Sequence, residues 1–462
     1  MNDLSILIMA AGKGTRMVSD LAKVLHPVCG VPMLHLMYRA AAGLEPGEIV
    51  IVIGQDADLV RASMEGRPAR FVLQSEQLGT GHAVMMARPL LEGRPGDLLV
   101  LYGDTPRLKT ATLRKLAERH RASGAATTLL TTRAENPCGY GRILRGADGK
   151  VAGIVEERDA TPEQRLIREI NPGLYCFQIH PLLTALDRLS NRNSQGEYYL
   201  TDVIGIQREA GRRIETLIHE DFDELLGINT RAELAEASRA LRLQKNLELM
   251  AGGVTLIDPE RTYVDLDVVV AKDVTVHPMV TLQGRTRIAE GSTVHSGCRI
   301  ADSIIGPGVE VGDSCVITDS EIGSGSTVGP FARLRNGSRV GSRCRVGNFV
   351  ELKKAVLGDG TKAAHHAYLG DATLGKNVNI GAGVITCNYD GVHKHATIIE
   401  DGAFIGTDAQ LVAPVRVGEG AYVAAGSCIT EDVPAGALAI ARERQVNKAD
   451  WARRRKEKRG GA

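Results

Sequence analysis

The sequence predicts an α/β domain, a connecting helix and a parallel β-helix, in that order, on three observations. Strand and helix patterns alternate up to about residue 228, a single helical stripe fills 230–250, and aliphatic residues then recur at every sixth position. Alternation implies a sheet with helices on both faces and ligands at the carboxyl ends of its strands. A six-residue period implies a parallel β-helix, three hexads to a coil, with the aliphatic residues stacked inside. A chain of 462 residues suits about two to three domains.

The first strand is Ser5-Ile6-Leu7-Ile8-Met9, an apolar run expected as a buried parallel strand. The loop Ala10-Ala11-Gly12-Lys13-Gly14-Thr15-Arg16-Met17 follows. Its two glycines let the backbone take up positive φ and bring N–H groups close to a ligand. Lys13, Arg16 and Lys23 place three cations around the turn against Asp20 alone, which suits a phosphate. The loop is neither common phosphate motif. Gly14 stands where a Walker loop needs Ser or Thr, and Met17 where a dinucleotide fingerprint needs glycine. The other reading is an ordinary glycine turn between strand and helix, and the cations weigh against it. Further strands are expected at 48–54, 97–103, 125–131 and 173–178, with helices at 34–42, 111–122 and 181–189 between them.

The connecting helix begins at a capping box, Thr230-Arg231-Ala232-Glu233. It carries a stripe of Leu234, Ala237, Leu241, Leu247 and Met250 and ends at Gly252-Gly253. The domains are therefore expected at 1–229 and 251–462, with 230–250 as linker. In the second domain Val276, Leu282, Ile288, Val294 and Ile300 form a ladder. Val328, Leu334, Val340 and Val346 continue it, and Ile399, Ile405, Leu411, Val417, Val423 and Ile429 complete it. Between Ile380 and Ile399 the period breaks. The segment from Cys387 to Lys394 does not fit the stack and is expected to project as a loop.

Composition sets limits. The 56 basic and 55 acidic residues cancel, which argues against a broad nucleic-acid surface. Eight cysteines without CxxC spacing suggest reduced, buried thiols rather than disulfides or zinc. The apolar run at 6–11 is too short for a signal peptide or membrane span, so a cytoplasmic protein that does not engage a membrane is expected. The basic tail from Arg453 to Arg459 reads as a solvated, frayed terminus.

Twelve motifs in register then carry a resemblance. They are AAGKGTRM (10–17), QLGTGHA (77–83), YGD (102–104), GYGRI (139–143), EIN (169–171), GEYYLTD (196–202), GIN (227–229), PFARLR (330–335), NFVELKKA (348–355), YLGDA (368–372), NIGAG (379–383) and ITCNYDG (385–391). Over essentially its whole length the chain resembles the bacterial bifunctional N-acetylglucosamine-1-phosphate uridyltransferase/glucosamine-1-phosphate acetyltransferases. The resemblance implies a Rossmann-like nucleotidyltransferase domain followed by a left-handed β-helix of hexapeptide repeats, assembled as a homotrimer.

For the first domain it implies that UTP and N-acetylglucosamine 1-phosphate give UDP-N-acetylglucosamine and pyrophosphate. Such a reaction asks for charge neutralisation and in-line positioning. Lys13 and Arg16 match the triphosphate positions and Lys23 a phosphate contact, with Met9, Ala10, Ala11 and Gly12 along the same loop. Asp104, after Tyr102 and Gly103, and Asn229 match the ligands of Mg²⁺, an ion that accepts a carboxylate with phosphates and water. Taken alone, Asp104 also reads as a strand-end cap and Asn229 as a residue before the helix cap. Gln74, Gly79 and Thr80 match nucleotide contacts, a Gln amide being able to donate to and accept from a uracil edge. Gly141, Glu156 and Asn171 match sugar contacts. Ala22 departs from the family's proline before Lys23, which predicts a less rigid loop.

For the second domain the resemblance implies acetyl transfer from acetyl-CoA to glucosamine 1-phosphate. An ammonium is no nucleophile, so a base must take its proton. His365 matches that base, and His366 is expected on the opposite face of an extended segment. Arg335 and Lys353 match sugar-phosphate binders, where a fork and a point charge suit a dianion. Tyr368, Asn379, Asn388 and Tyr389 match sugar or acetyl-CoA contacts, and Ala382, Thr407, Ala425 and Arg442 coenzyme contacts, with Thr407 in place of the usual serine. Two rival readings are a pyrophosphorylase with a merely regulatory β-helix and a trimeric scaffold that binds without turnover. The intact His365 and Lys353 set argues against the first, and the Asp104–Asn229 pair against the second.

Overall fold

A computed structural model describes residues 3–459 of the chain. It divides into two compact units that meet in sequence between Leu241 and Arg242.

The first unit is built on a mixed sheet. Its strand order is Ile214–Ile218, Thr127–Arg133, Glu169–Gln178, Asp97–Tyr102, Leu4–Ala10, Glu48–Ile53 and Arg70–Leu73. Leu4–Ala10 lies at the centre, parallel to both neighbours, with Ile8 beside Ile51 and Leu101. Glu169–Gln178 runs antiparallel and carries a hairpin, Gly141–Arg145 with Val151–Val155. All residues of Leu4–Ala10 are buried, because alternate side chains serve two cores. Ile6 and Ile8 pack with Leu34, Met37 and Leu116 on one face, and Leu7 and Met9 with Val84, Leu182 and Val203 on the other. The expected helices form at Met33–Ala42, Thr110–Ser123 and Ile179–Leu186.

The connecting helix, Arg231–Ala251, begins as its capping box dictates. Glu233 N–H donates to Thr230 Oγ1 at 3.2 Å, and Thr230 N–H to Glu233 Oε2 at 3.0 Å. Its stripe departs from expectation. Ala237, with Leu234 and Leu241, packs on Val28, Met33 and Ile228, but Leu247 is 63% exposed and Met250 is exposed too. The six-residue step from Leu241 to Leu247 is not a helical repeat, so the buried face passes instead to Asn246 and Leu249. Asn246 Nδ2 donates to the carbonyls of Pro259 (2.7 Å) and Thr262 (2.9 Å).

The second unit is a left-handed parallel β-helix. Thr275 pairs with Thr293 and Val276 with Val294, one coil later, and this register continues to Tyr422 with Leu438. The predicted ladder is its core, with Val276, Leu282, Val294, Ile300, Leu334, Ile405 and Leu411 fully buried. One corner is a column of left-handed residues, Met279, Ser314, Phe331, Phe349, His366 and Asp408, each with positive φ. His366 (φ 37°) therefore turns this corner. The alternation expected for an extended segment fails there, and both His365 and His366 are exposed. The loop expected between the interrupted repeats forms after Cys387. Ala372 finds its coil partner only at Thr397, and Tyr389 and Lys394 bridge within the loop.

Among the described residues no cysteine is in a disulfide, and of the eight only Cys176, Cys298, Cys315 and Cys344 are buried. The tail forms an exposed helix, Trp451–Arg459, rather than fraying. Among the described residues no helix is long and apolar enough to cross a membrane.

Candidate active sites

In the first unit the candidate site is a cavity of about 520 Å³ at the carboxyl ends of three strands, Leu4–Ala10, Arg70–Leu73 and Asp97–Tyr102. Met9, Ala10, Ala11, Gly12, Lys13, Lys23, Gln74, Gly79, Thr80, Tyr102, Asp104 and Asn229 all line it. Gly14, at φ 60°, is the loop residue that needs to be glycine. A Cβ there would meet the Cβ of Lys23 at 2.6 Å. Gly12 does not take up the positive φ expected of it. Ala22 holds φ −49° and ψ 132°, close to what proline would impose, so the loop keeps that shape without the ring.

Lys23 is the centre of the site. Its Nζ donates to Asn229 Oδ1 at 2.7 Å and forms an ion pair with Asp104 Oδ2. The two side chains of the ion pair are only 12% and 18% exposed. The residues expected to share a metal thus converge on a single cation. Local hydrogen bonds hold both: Ile228 N–H donates to the Asp104 carbonyl at 2.9 Å, and Asn229 N–H to Glu233 Oε2 at 2.6 Å. Among the described residues no group of three His, Cys, Asp or Glu side chains could hold a metal.

A second cavity of about 860 Å³ shares Tyr102, Asp104 and Asn229 and extends along Ala232, Glu236 and Ala240 of the connecting helix. Arg16 lines this cavity and Lys13 the first, so the structure separates the two loop cations. Burial, helped by Glu156 and Asp104, pushes the Tyr102 phenol up, which keeps its hydroxyl protonated. Gly173, at φ 87°, leaves room for its ring, since a Cβ there would stand 2.2 Å from Tyr102 Cε2.

Gly141, Glu156 and Asn171 come together but line neither cavity. Gly141 pairs with Asn171 across the sheet, and Glu156 Oε2 lies 3.5 Å from where a Gly141 Cβ would be. Asn171 Nδ2 donates to Tyr175 Oη at 2.7 Å. Burial raises the Glu156 carboxyl, opposed by Thr201, whose hydroxyl donates to it at 3.0 Å. Sequence reasoning missed Gln77, whose Nε2 donates to the Ala11 carbonyl at 3.0 Å, and Glu197, which lines the first cavity.

In the β-helix, Arg335, Lys353 and Gly370 stand on successive coils. Lys353 Nζ donates to Asp371 Oδ2 at 3.0 Å, and Asn388 Nδ2 donates to the same oxygen. Burial opposes ionisation of Asp371, yet the Lys353 and Asn388 bonds leave its carboxyl below the usual range. Arg335 Nε donates to Glu351 Oε1 at 2.7 Å. Lys394, at the end of the projecting loop, is held below the ordinary ammonium value, chiefly by Lys353 beside it and less by Arg335. Three cations therefore gather here. Tyr368 is beside this group, its hydroxyl 2.5 Å from where a Gly370 Cβ would stand. Asn379 pairs with Lys362. The Tyr389 hydroxyl donates to the Gly391 carbonyl at 2.6 Å, and Lys394 Nζ lies 6.0 Å from the centre of its ring.

His365 Nδ1 is 3.1 Å from Asn348 Oδ1, one coil below. The amide oxygen accepts, so Nδ1 carries the proton and Nε2 keeps its lone pair. Asn348, Asp371 and Lys394 were missed by sequence reasoning. The coil repeat could have found the first two, since Asn348 sits one coil before His365 and Asp371 directly follows Gly370, which sits one coil after Lys353. Ala382, Thr407 and Ala425 stack in one column, where a Cβ on Gly381 would meet Thr407 N and one on Gly406 would meet Ala425 N, each at 2.5 Å. Arg442 is exposed just beyond Ala441, whose carbonyl accepts from Cys428 N–H at 3.1 Å.

Three family descriptions match the chain: a MobA-like NTP transferase domain over residues 6–195, a GMPPB C-terminal domain over 264–342, and bacterial transferase hexapeptide repeats over 396–431. Curated relatives match nearly end to end. The bifunctional protein GlmU of Geobacter metallireducens is 51% identical over 98% of this chain and 98% of its own. That of Pelobacter propionicus is 48% identical over 99% of this chain and 100% of its own, and that of Shouchella clausii 48% over 97% and 98%.

Proposed function

The chain belongs to the family of bifunctional GlmU proteins, and we propose how its residues divide the two reactions of UDP-N-acetylglucosamine synthesis. The protein acetylates glucosamine 1-phosphate with acetyl-CoA, then transfers uridylyl from UTP to N-acetylglucosamine 1-phosphate and releases pyrophosphate.

Uridylyl transfer belongs to the cavity around Lys23. Gln74, Gly79 and Thr80 receive the nucleotide, and Gly141, Glu156 and Asn171 the sugar. Lys13 faces the triphosphate, and Arg16 reaches it from the neighbouring cavity. Asp104 and Asn229 would hold Mg²⁺, and the donor set fits: two oxygens already aim at one cation, and phosphates and water would complete such a shell. Bound there, the ion would neutralise phosphate charge that three side-chain cations cannot. Lys23 exchanges its carboxylate for a phosphate oxygen as substrates enter. What supports the reading best is this single ammonium shared by Asp104 and Asn229 beneath a phosphate-suited loop.

Acetyl transfer belongs to the coil bearing His365. Arg335 and Lys353 hold the sugar phosphate, with Lys394 beside them, while Tyr368 and Asn379 place the sugar. The His365 Nε2 lone pair takes the proton of the ammonium. The freed amine attacks the thioester carbonyl, and the coenzyme leaves as its thiol. Ala382, Thr407 and Ala425 line the path of acetyl-CoA, with Asn388, Tyr389 and Arg442 flanking it. The protein acts in the cytoplasm as a homotrimer.

Both half-reactions assayed on the whole protein test this. Asp104→Ala abolishes uridylyl transfer and spares acetyl transfer; His365→Ala does the reverse. EDTA stops only the first reaction. If either substitution silenced both reactions in a folded protein, or EDTA stopped acetyl transfer, the division would be wrong.

A further inference from the structure

We infer that His82 is a positioning residue that sets the uracil selectivity of uridylyl transfer, by fixing which end of the Gln74 amide meets the base. The inference rests on the reading that Gln74 receives the nucleotide.

Gln74 is 3% exposed, and its backbone N–H donates to the Ile53 carbonyl at 2.8 Å. Its Nε2 lies 3.1 Å from the Gly79 carbonyl oxygen and 3.1 Å from His82 Nδ1. A carbonyl only accepts, so the amide atom facing Gly79 is the nitrogen. That carbonyl is itself fixed. Gly79 holds φ 104°, a Cβ there would meet the Tyr198 carbonyl at 2.6 Å, and Tyr198 N–H donates to Leu78 O at 2.8 Å.

One amide hydrogen goes to Gly79 and the other to His82. His82 Nδ1 must then offer a lone pair, so its proton sits on Nε2. The ring is steadied by Tyr198, at a centroid distance of 6.5 Å. With both hydrogens taken, the amide has only its carbonyl oxygen left for the cavity that Gln74 lines. An acceptor there welcomes the N3–H of uracil and repels the N3 lone pair of cytosine. A group committed in this way discriminates, because the wrong base leaves buried polar atoms unpaired. Without the His82 lone pair the Gly79 carbonyl alone holds the amide, which then pivots about that one bond and turns its freed hydrogen towards cytosine N3.

The test measures kcat/KM of the full-length protein with UTP and with CTP. In His82→Leu the preference for UTP falls about tenfold or more, by loss of UTP use and gain of CTP use. In His82→Asn, whose side-chain oxygen occupies the place of Nδ1, the preference is kept within about threefold. A merely structural role for the ring would damage both variants alike and leave the ratio alone. A thermal melt of the same samples, showing the transition of the first unit, reports that each variant is folded. His82→Met repeats the apolar arm if His82→Leu is insoluble.

An unchanged ratio in His82→Leu, or an equal loss in His82→Asn, overturns the inference. Gln74→Ala separates it from the reading beneath it. If Gln74→Ala leaves the ratio intact, Gln74 does not read the base. If Gln74→Ala lowers the ratio and His82→Leu does not, the role of His82 alone falls.

Discussion

Lys23 shows what a single side chain fixes and what its motif cannot say. The sequence offers it as one of three loop cations, whereas in the fold it bridges Asp104 and Asn229. In Lys23→Met the Asp104 carboxylate, only 18% exposed, keeps no ammonium partner. We expect a stability loss of about 1–3 kcal/mol in EDTA. Mg²⁺ should raise the melting temperature of the variant more than that of the parent; equal shifts would argue against a shared cation site. His35 is a second residue no motif reveals. Burial, then Arg67 and Arg39, lower its imidazole to about 4, and its Nε2 has no partner. The folded value lies below the ordinary imidazole value of 6.5, so the unfolded chain binds the extra proton between those limits. Stability from this residue is whole above about pH 6.5 and falls as the pH drops towards 4. His35→Leu should flatten that fall in melts recorded across this range, and an unaltered slope would remove His35 as its source. Motif residues were legible because their chemistry is carried by residue type. Lys394 was not, because its meaning arises from Lys353, which the folded loop brings close without any repeat in the sequence.

Elements explain why some of the site was legible in outline only. The capping box at Thr230 is visible as a four-residue pattern, and it forms as written. Its second task is invisible in one dimension: Glu233 Oε2 also accepts the N–H of Asn229, so the helix cap holds a proposed metal ligand. The two halves of the box should therefore separate. Thr230→Ala should cost about 1 kcal/mol of stability and little else. Glu233→Ala should in addition raise the Mg²⁺ concentration for half-maximal uridylyl transfer, with acetyl transfer untouched. A Mg²⁺ requirement that moves equally in both variants would leave Glu233 as a cap alone. The β-helix was the more legible unit, because one aliphatic residue per hexad specifies its interior without long-range pairing. The connecting helix was less so. Its buried face changes phase where it passes from one unit to the other, and no local rule records which neighbour it packs on.

At the scale of the molecule, the boundary inside the connecting helix decides what each half can do alone. Ala237, Leu234 and Leu241 cover Val28, Met33 and Ile228, and Arg231 Nε donates to the Met17 carbonyl at 3.1 Å. Cutting the chain after residue 229 bares that cluster, at a cost of about 2–4 kcal/mol, whereas cutting after 241 keeps it covered. A fragment of residues 1–241 should thus melt higher than one of 1–229 and make UDP-N-acetylglucosamine as a monomer, since its loop cations, Asp104, Asn229 and Gln74 all lie within it. The β-helix is different. Phe331 stacks on Phe349 and Phe404 on Tyr422, and these rings, with Leu438 and Ile440, are exposed to a degree that water disfavours. Three copies packed side by side would cover such surface and bring the loop at Asn388 and the segment at Arg442 towards a neighbour. The full chain should accordingly sediment as a trimer, and acetyl transfer should be lost with the trimer on dilution while uridylyl transfer persists. A full-length variant that is monomeric in sedimentation and still transfers acetyl groups would show that one chain suffices for that site.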